Sequence, residues 1–176
     1  MKILPPEFYE HEDVVSIARN LLGKILVKNS KKLIQKAIIT ETEAYKGVED
    51  KASHAYGGRR TKRTEVMYGP PGRAYVYLCY GIHEMLNVVT GPKEIPHAVL
   101  IRGIRLLDGN QLYDGPGKLT KALSINRDFN EHDLSVPPLQ IMDDGIKVTS
   151  FEQGPRIGID FAGEDKNLPY RFVASI

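Results

Sequence analysis

The sequence predicts a single α+β domain with a central sheet and a few flanking helices, and three observations lead there. Short runs rich in Val, Ile, Leu and Tyr, separated by Gly, Pro and Asn, recur from Lys24 to the end of the chain. Helical spacing is confined to a few brief segments. With 176 residues, 41% of them hydrophobic, the chain can bury one real core. No repeat, low-complexity tract or linker divides residues 1–176, which read as one domain.

The elements follow in order. Val14, Ile17, Ala18, Leu21 and Leu22 recur at helical spacing behind Glu10, Glu12 and Asp13, whose charges suit a helix N-terminus, and Gly23 suits its end. The runs Lys24 to Lys28 and Leu33 to Ala44 enclose the polar Asn29-Ser30-Lys31-Lys32 and predict a hairpin. Side chains alternate along a strand, so Glu41, Glu43 and Tyr45 share one face. Residues 46–72 are rich in glycine and proline and poor in apolar residues, which predicts an irregular segment with a short helix near Arg63 to Tyr68. Strands over Arg73 to Cys79 and Ile82 to Thr90 flank a tight turn at Tyr80-Gly81, and Ala98 to Leu106 completes the centre of the sheet. Gly115-Pro116-Gly117-Lys118 opens a helix over Leu119 to Ile125, with Pro116 in its first turn. Further strands are predicted at Leu139 to Met142, Ile146 to Thr149, Arg156 to Asp160 and Tyr170 to Ala174.

Composition excludes several classes of chemistry. The lone Cys79 rules out an internal disulfide or a multi-cysteine zinc site, and the five histidines show no metal-ligand spacing, so neither metal nor cofactor is expected. No apolar run approaches the roughly 20 residues that span a bilayer, and the start lacks a signal peptide's apolar core. A soluble, intracellular protein without membrane contact is expected. The net charge is only +2, yet Lys51, Arg59, Arg60, Lys62, Arg63 and Arg73 stand against the single acid Glu65 between residues 51 and 75. Charge concentrated in that way suits a polyanion, although solvated basic loops are common.

Six of the nine tyrosines lie between residues 45 and 80, in a chain without tryptophan. Tyr80 stands at a turn tip with no core beneath it, where a ring can wedge into a stack. Glu43 interrupts an apolar strand; it is either a solvated carboxylate or, walled by Tyr45 and the Tyr75/Tyr77 face, a general base tuned by burial. His54 carries meaning only in that company. Asn87 within Met85-Leu86-Asn87-Val88-Val89 must satisfy backbone groups or read a ligand edge. Lys118 and Lys121 at a helix start could hold a phosphate backbone. Carboxylate, imidazole, rings and cations so close in sequence suggest chemistry on a nucleic-acid base.

Glu41-Thr42-Glu43-Ala44-Tyr45, Ala52-Ser53-His54, Gly57-Gly58-Arg59, Tyr75-Val76-Tyr77 through Tyr80-Gly81, Asn87, Val99-Leu100-Ile101-Arg102, Gly115-Pro116-Gly117-Lys118-Leu119 and Arg156-Ile157-Gly158 together resemble the alkyladenine (3-methyladenine) DNA glycosylases. The likeness is to the antiparallel-sheet family of animals and bacteria and runs in order from about residue 5 to 174. It implies a central, mostly antiparallel curved sheet and a protruding hairpin that intercalates into DNA. It implies a monomer, cytoplasmic and at the nucleoid in a bacterium or nuclear in a eukaryote, that flips damaged purines out of duplex DNA and hydrolyses their N-glycosidic bonds. Family substrates include 3-methyladenine, 7-methylguanine, hypoxanthine and ethenoadenine. By this resemblance Glu43 activates the attacking water and Arg102 holds the carboxylate or the water. Tyr45, His54, Tyr77, Asn87 and Ile157 form the base pocket, and Tyr80 fills the gap in the duplex. Arg59, Arg60, Lys62, Arg63 and Lys118 meet the DNA backbone. One departure is Glu84, where relatives often carry a larger apolar residue, which predicts weaker DNA binding. A non-catalytic nucleic-acid-binding domain and a hydrolase of free nucleosides are the alternatives.

Overall fold

A computed structural model of the chain describes residues 1–176. Its ten strands are β1 (Lys2–Ile3), β2 (Ile25–Asn29), β3 (Ile34–Tyr45), β4 (Ala74–Cys79), β5 (His83–Thr90), β6 (His97–Leu106), β7 (Leu112–Asp114), β8 (Leu139–Asp143), β9 (Phe151–Gly154) and β10 (Arg171–Ala174). They join one curled half-barrel sheet in the order β1-β8-β2-β3-β6-β5-β4, and every pairing is antiparallel. The α+β architecture is therefore as expected.

Strand β3 is the hub. At 12 residues it outruns β2, which pairs only with Ile34 to Ile38, so the rest of that edge is free for β10, whose Arg171 lies opposite Glu43. Its other edge carries β6. A register shift on either side of Glu41 marks a bulge, a local kink that re-aims the strand. Beyond it the alternation is clean. The hydroxyl of buried Thr42 donates to the Ala18 carbonyl at 2.8 Å and ties β3 to the helix behind it, and Ala44 joins the same core. Glu43 and Tyr45 therefore face the other side.

Helices are few: α1 (Pro6–Tyr9), α2 (Val14–Asn20) and α3 (Pro116–Ala122). The Asp13 carboxylate caps α2 by accepting from the Val15 and Ser16 amides at 3.0 and 3.2 Å, and Gly23 leaves it at φ +80°, which glycine alone adopts without strain. Val14, Ile17, Ala18, Leu21 and Leu22 of this region, with Leu119 and Leu123 near α3, bury the sheet's core face.

Two predicted strands are absent. Ile146 and Val148 press against Gly23 and find no ladder partner, so their alternation serves to cover the helix end. Residues 156–160 look strand-like because Ile157 and Ile159 alternate, yet Ile157 gives its amide to a side chain and Gly158 turns at φ +74°. The true strand beside β10 is β9, just upstream.

Candidate active site

The non-core face of β3 and β6 floors a cavity of about 620 Å3, a size that suits a small planar ligand (about 300–1,000 Å3). Strands β4 and β5 wall one side. The opposite side is closed by the loop 157–161, with α3's start and residues 52–54 completing the rim.

Glu43 is the centre of the arrangement. It is 0% exposed and lies one layer behind the cavity wall. Its Oε1 accepts the Ile157 amide at 2.8 Å and sits 3.4 Å from the Arg102 guanidinium, and its Oε2 accepts the Tyr45 hydroxyl at 2.8 Å. All three of these partners line the cavity. Burial pushes the Glu43 carboxyl above its usual range, opposed by Arg102, the Ile157 amide and the Tyr45 hydroxyl. The Tyr45 phenol is pushed well up by its own burial and by Glu43, so it stays protonated and donates. Each carboxylate oxygen can accept more than one hydrogen bond, and Oε2 has only one protein donor.

Arg102 is shared between two carboxylates. Its Nε donates to Glu41 Oε1 at 3.0 Å, closer than its approach to Glu43, and Glu41 also accepts Arg171 Nε at 2.7 Å. Glu41 is thus a site residue that sequence reasoning missed, although its spacing two residues before Glu43 was the available signal.

The walls are aromatic. His54 meets the Tyr77 ring edge-on with centroids 4.7 Å apart, and His54 Nδ1 and the Tyr75 hydroxyl share a hydrogen bond at 2.8 Å. Across the cavity stands Tyr45, backed by the Arg156 guanidinium 4.7 Å from its ring centre. That guanidinium is itself buried, forks onto Asp50 (Nη2 to Oδ1 2.8 Å) and donates to the Ala44 carbonyl at 2.9 Å. No sequence signal singles out Asp50. Asn87 lies buried at the cavity's edge with Nδ2 donating to the Tyr75 carbonyl at 3.1 Å, so backbone anchors it while it lines the site.

Burial, with Arg63 and Arg59 nearby, lowers the His54 pKa to about 4, so its ring is neutral at pH 7 and brings no charge to the cavity. A histidine depressed in this way contributes stability that is present above its unfolded value, about 6.5, and is lost as the pH falls from there toward 4. The drop in Tm between pH 7 and pH 5 is expected to be smaller for His54→Gln than for the parent; an equal drop in parallel melts would contradict the burial argument.

The expected DNA-backbone cations divide. Arg63 lies over the Tyr77 ring at 4.8 Å and, with Lys118, lines the cavity. Arg59, Arg60 and Lys62 do not line it. Arg60 pairs with Glu65 and Glu94 and stacks on Tyr68, and Lys118 pairs with Asp114 at 2.7 Å; Arg59 and Lys62 have no acidic partner. Glu84 is engaged by Arg127 at 3.3 Å, so its charge is met within the protein. Tyr80, at the tip of the β4–β5 hairpin, is 87% exposed and lines the cavity mouth.

The family model described as methylpurine-DNA glycosylase matches residues 7–175. A protein of Chlamydia abortus is 43% identical over 189 residues, covering 99% of both chains. One from Desulfitobacterium hafniense is 42% identical over 98% of this chain and 95% of its own, and one from Bacillus cereus is 42% identical over 96% and 93%. The assigned name of all three is 3-methyladenine DNA glycosylase. A buried carboxylate behind an aromatic cavity, on a chain matched almost end to end, leads to one conclusion: the chain belongs to the methylpurine-DNA glycosylase family, hydrolases of N-glycosyl bonds that serve DNA repair.

Proposed function

We propose that this protein, acting as a monomer, flips alkylated or deaminated purines out of duplex DNA and hydrolyses their N-glycosidic bonds with a water activated by Glu43. The substrates are 3-methyladenine, 7-methylguanine, hypoxanthine and ethenoadenine. The observation that carries the reading is the joint placement of Glu43 and the rings: the three groups that hold its carboxylate are also walls of the cavity. A purine seated between Tyr45 and the His54/Tyr77 wall brings its sugar toward Glu43. The glycosidic electron pair leaves with the base, water oxygen bonds to the sugar carbon, and Glu43 takes the water's proton. The same carboxylate stabilises the developing sugar cation. An electron-poor alkylpurine suits the tyrosine face, and damaged pairs unstack more cheaply than intact ones.

Without added metal, duplexes carrying one hypoxanthine or one 7-methylguanine should yield free base and alkali-labile sites without strand cleavage. Binding without base release would favour a non-catalytic domain, and activity on free nucleosides alone would favour a nucleoside hydrolase.

Tyr80 supports the duplex part of the reading. It sits at φ 50° and Gly81 at φ 70°, the turn in which both central residues are left-handed and Asn-Gly is the favoured pair. A bulky ring in that conformation stores roughly 1 kcal/mol of strain, which a role outside the fold explains. Tyr80→Asn is therefore expected to keep or raise the Tm while slowing excision from duplex DNA at least tenfold. A variant that melts earlier, or excises as fast as the parent, would count against the wedge.

A further inference from the structure

Phe161 is 75% exposed and lines the same cavity mouth as Tyr80. The sheet order places the two rings on opposite lips. Across the cleft run β10, β3, β6, β5 and β4; Tyr80 tips the β4–β5 hairpin, whereas residues 155–161 lead out of β9, the neighbour of β10. Ile82, 72% exposed, stands beside Tyr80, and Ile157, 50% exposed, stands on Phe161's side. Single exposed apolar residues are ordinary, but Tyr80, Ile157 and Phe161 around one opening, with Ile82 next to Tyr80 on the hairpin, make a contact surface.

The loop that presents Phe161 is built to keep it out. Its neighbours Ile159 and Ala162 turn inward, buried with Ala52 against Tyr45. Arg156 anchors the loop's start to Asp50, the Ala162 amide donates to the Ile159 carbonyl at 2.9 Å, and the Lys51 amide donates to Asp165 Oδ2 at 2.8 Å. Nothing in the fold uses the Phe161 ring. The exposed Asp160 and Glu164 make this lip a poor seat for phosphate, so a ring here suits the apolar faces of deoxyribose.

We propose that Phe161 is a second DNA-contacting aromatic, packing on the sugars that flank the flipped nucleotide while Tyr80 occupies the opposite lip. The proposal rests on the duplex-binding reading above. Such a contact adds affinity without charge: apolar area leaves water, and no counterion is released.

The test uses the full chain and a duplex with one tetrahydrofuran abasic analogue, with Kd read by fluorescence anisotropy over a series of salt concentrations. Phe161→Ala should weaken binding roughly tenfold and leave the slope of log Kd against log salt unchanged. Lys62→Ala, if it loses a phosphate contact, should instead reduce that slope by about one. Phe161→Leu should recover most of the affinity. An affinity for Phe161→Ala within twofold of the parent, or a loss accompanied by a shallower slope, would overturn the proposal, as would a parent that does not bind the duplex. A parent that binds and shows the Phe161 effect but releases no base would sink the glycosylase reading alone.

Discussion

Glu43→Gln is expected to slow base release roughly 10²–10⁴-fold in single-turnover excision and to leave both the fold and binding to an abasic-analogue duplex intact. Glutamine keeps the shape: its oxygen can accept from the Ile157 amide while its NH2 donates to the Tyr45 hydroxyl, which turns to accept, and Arg102 keeps its closer bond to Glu41. What is lost is the negative charge and the basic site. The stability sign is opposite to the activity sign. Burial raises the folded-state pKa of Glu43 above its unfolded value; its stabilising contribution is therefore complete below about pH 4.3 and is lost as the pH rises through the raised value. A neutral side chain escapes that loss, so the Tm of Glu43→Gln at pH 7.5 should equal or exceed the parent's. In the parent, excision should fall on the acid side as Glu43 takes up its proton, with a midpoint above the ordinary glutamate range. Undiminished excision would remove Glu43 from the mechanism, and an unfolded variant would show that its charge is structural.

The parts of this site that could be read from the chain are those encoded by strand alternation. Glu43 with Tyr45, and Tyr75 with Tyr77, lie two residues apart on strands whose apolar partners reveal which face is inward. Tyr80-Gly81 was legible because a tight reversal between two β-rich runs exposes whatever sits at its tip. The partners that came from far along the chain were not. Glu94 reaches Arg60 from 34 residues away, and Arg171 reaches Glu41 from 130. Charge counted by segment therefore overstated the free cations of residues 51–75. The stretch Arg156 to Asp160 was misread for a related reason. Its alternation of Ile157 and Ile159 mimics a strand, but Ile159 turns into the small cluster under Tyr45 while the Ile157 amide is spent on Glu43. A backbone donor serving a buried carboxylate leaves no signature in residue type.

That loop also makes the pair Asp50 and Arg156 the most consequential one outside the reacting groups. Both side chains are almost wholly buried, with the guanidinium between the rings of Tyr45 and Tyr170 at 4.7 and 5.2 Å. Arg156 Nε has no hydrogen-bond partner, and Asp50 is the one carboxylate paired with the guanidinium, the Ala44 and Asp165 carbonyls adding neutral acceptors. Asp50→Ala leaves that charge unpaired, which costs roughly 3–5 kcal/mol and lowers the Tm by roughly 6–20 °C in a chain of this size. The activity that survives at low temperature should fall as well. Arg156 directly precedes the residue whose amide holds Glu43 and backs the Tyr45 ring that lines the cavity, so loosening it lets both drift. Arg156→Lys separates the two effects. It keeps the charge opposite Asp50 but loses the fork and the flat stack on Tyr45, so it should melt closer to the parent than Asp50→Ala while excising more slowly than its Tm suggests. Calorimetric melts and single-turnover excision on both variants decide the matter. A Tm loss under 3 °C for Asp50→Ala would mean that water or a shifted side chain satisfies Arg156, and a fully active Arg156→Lys would show that the base wall and the carboxylate are held by other contacts.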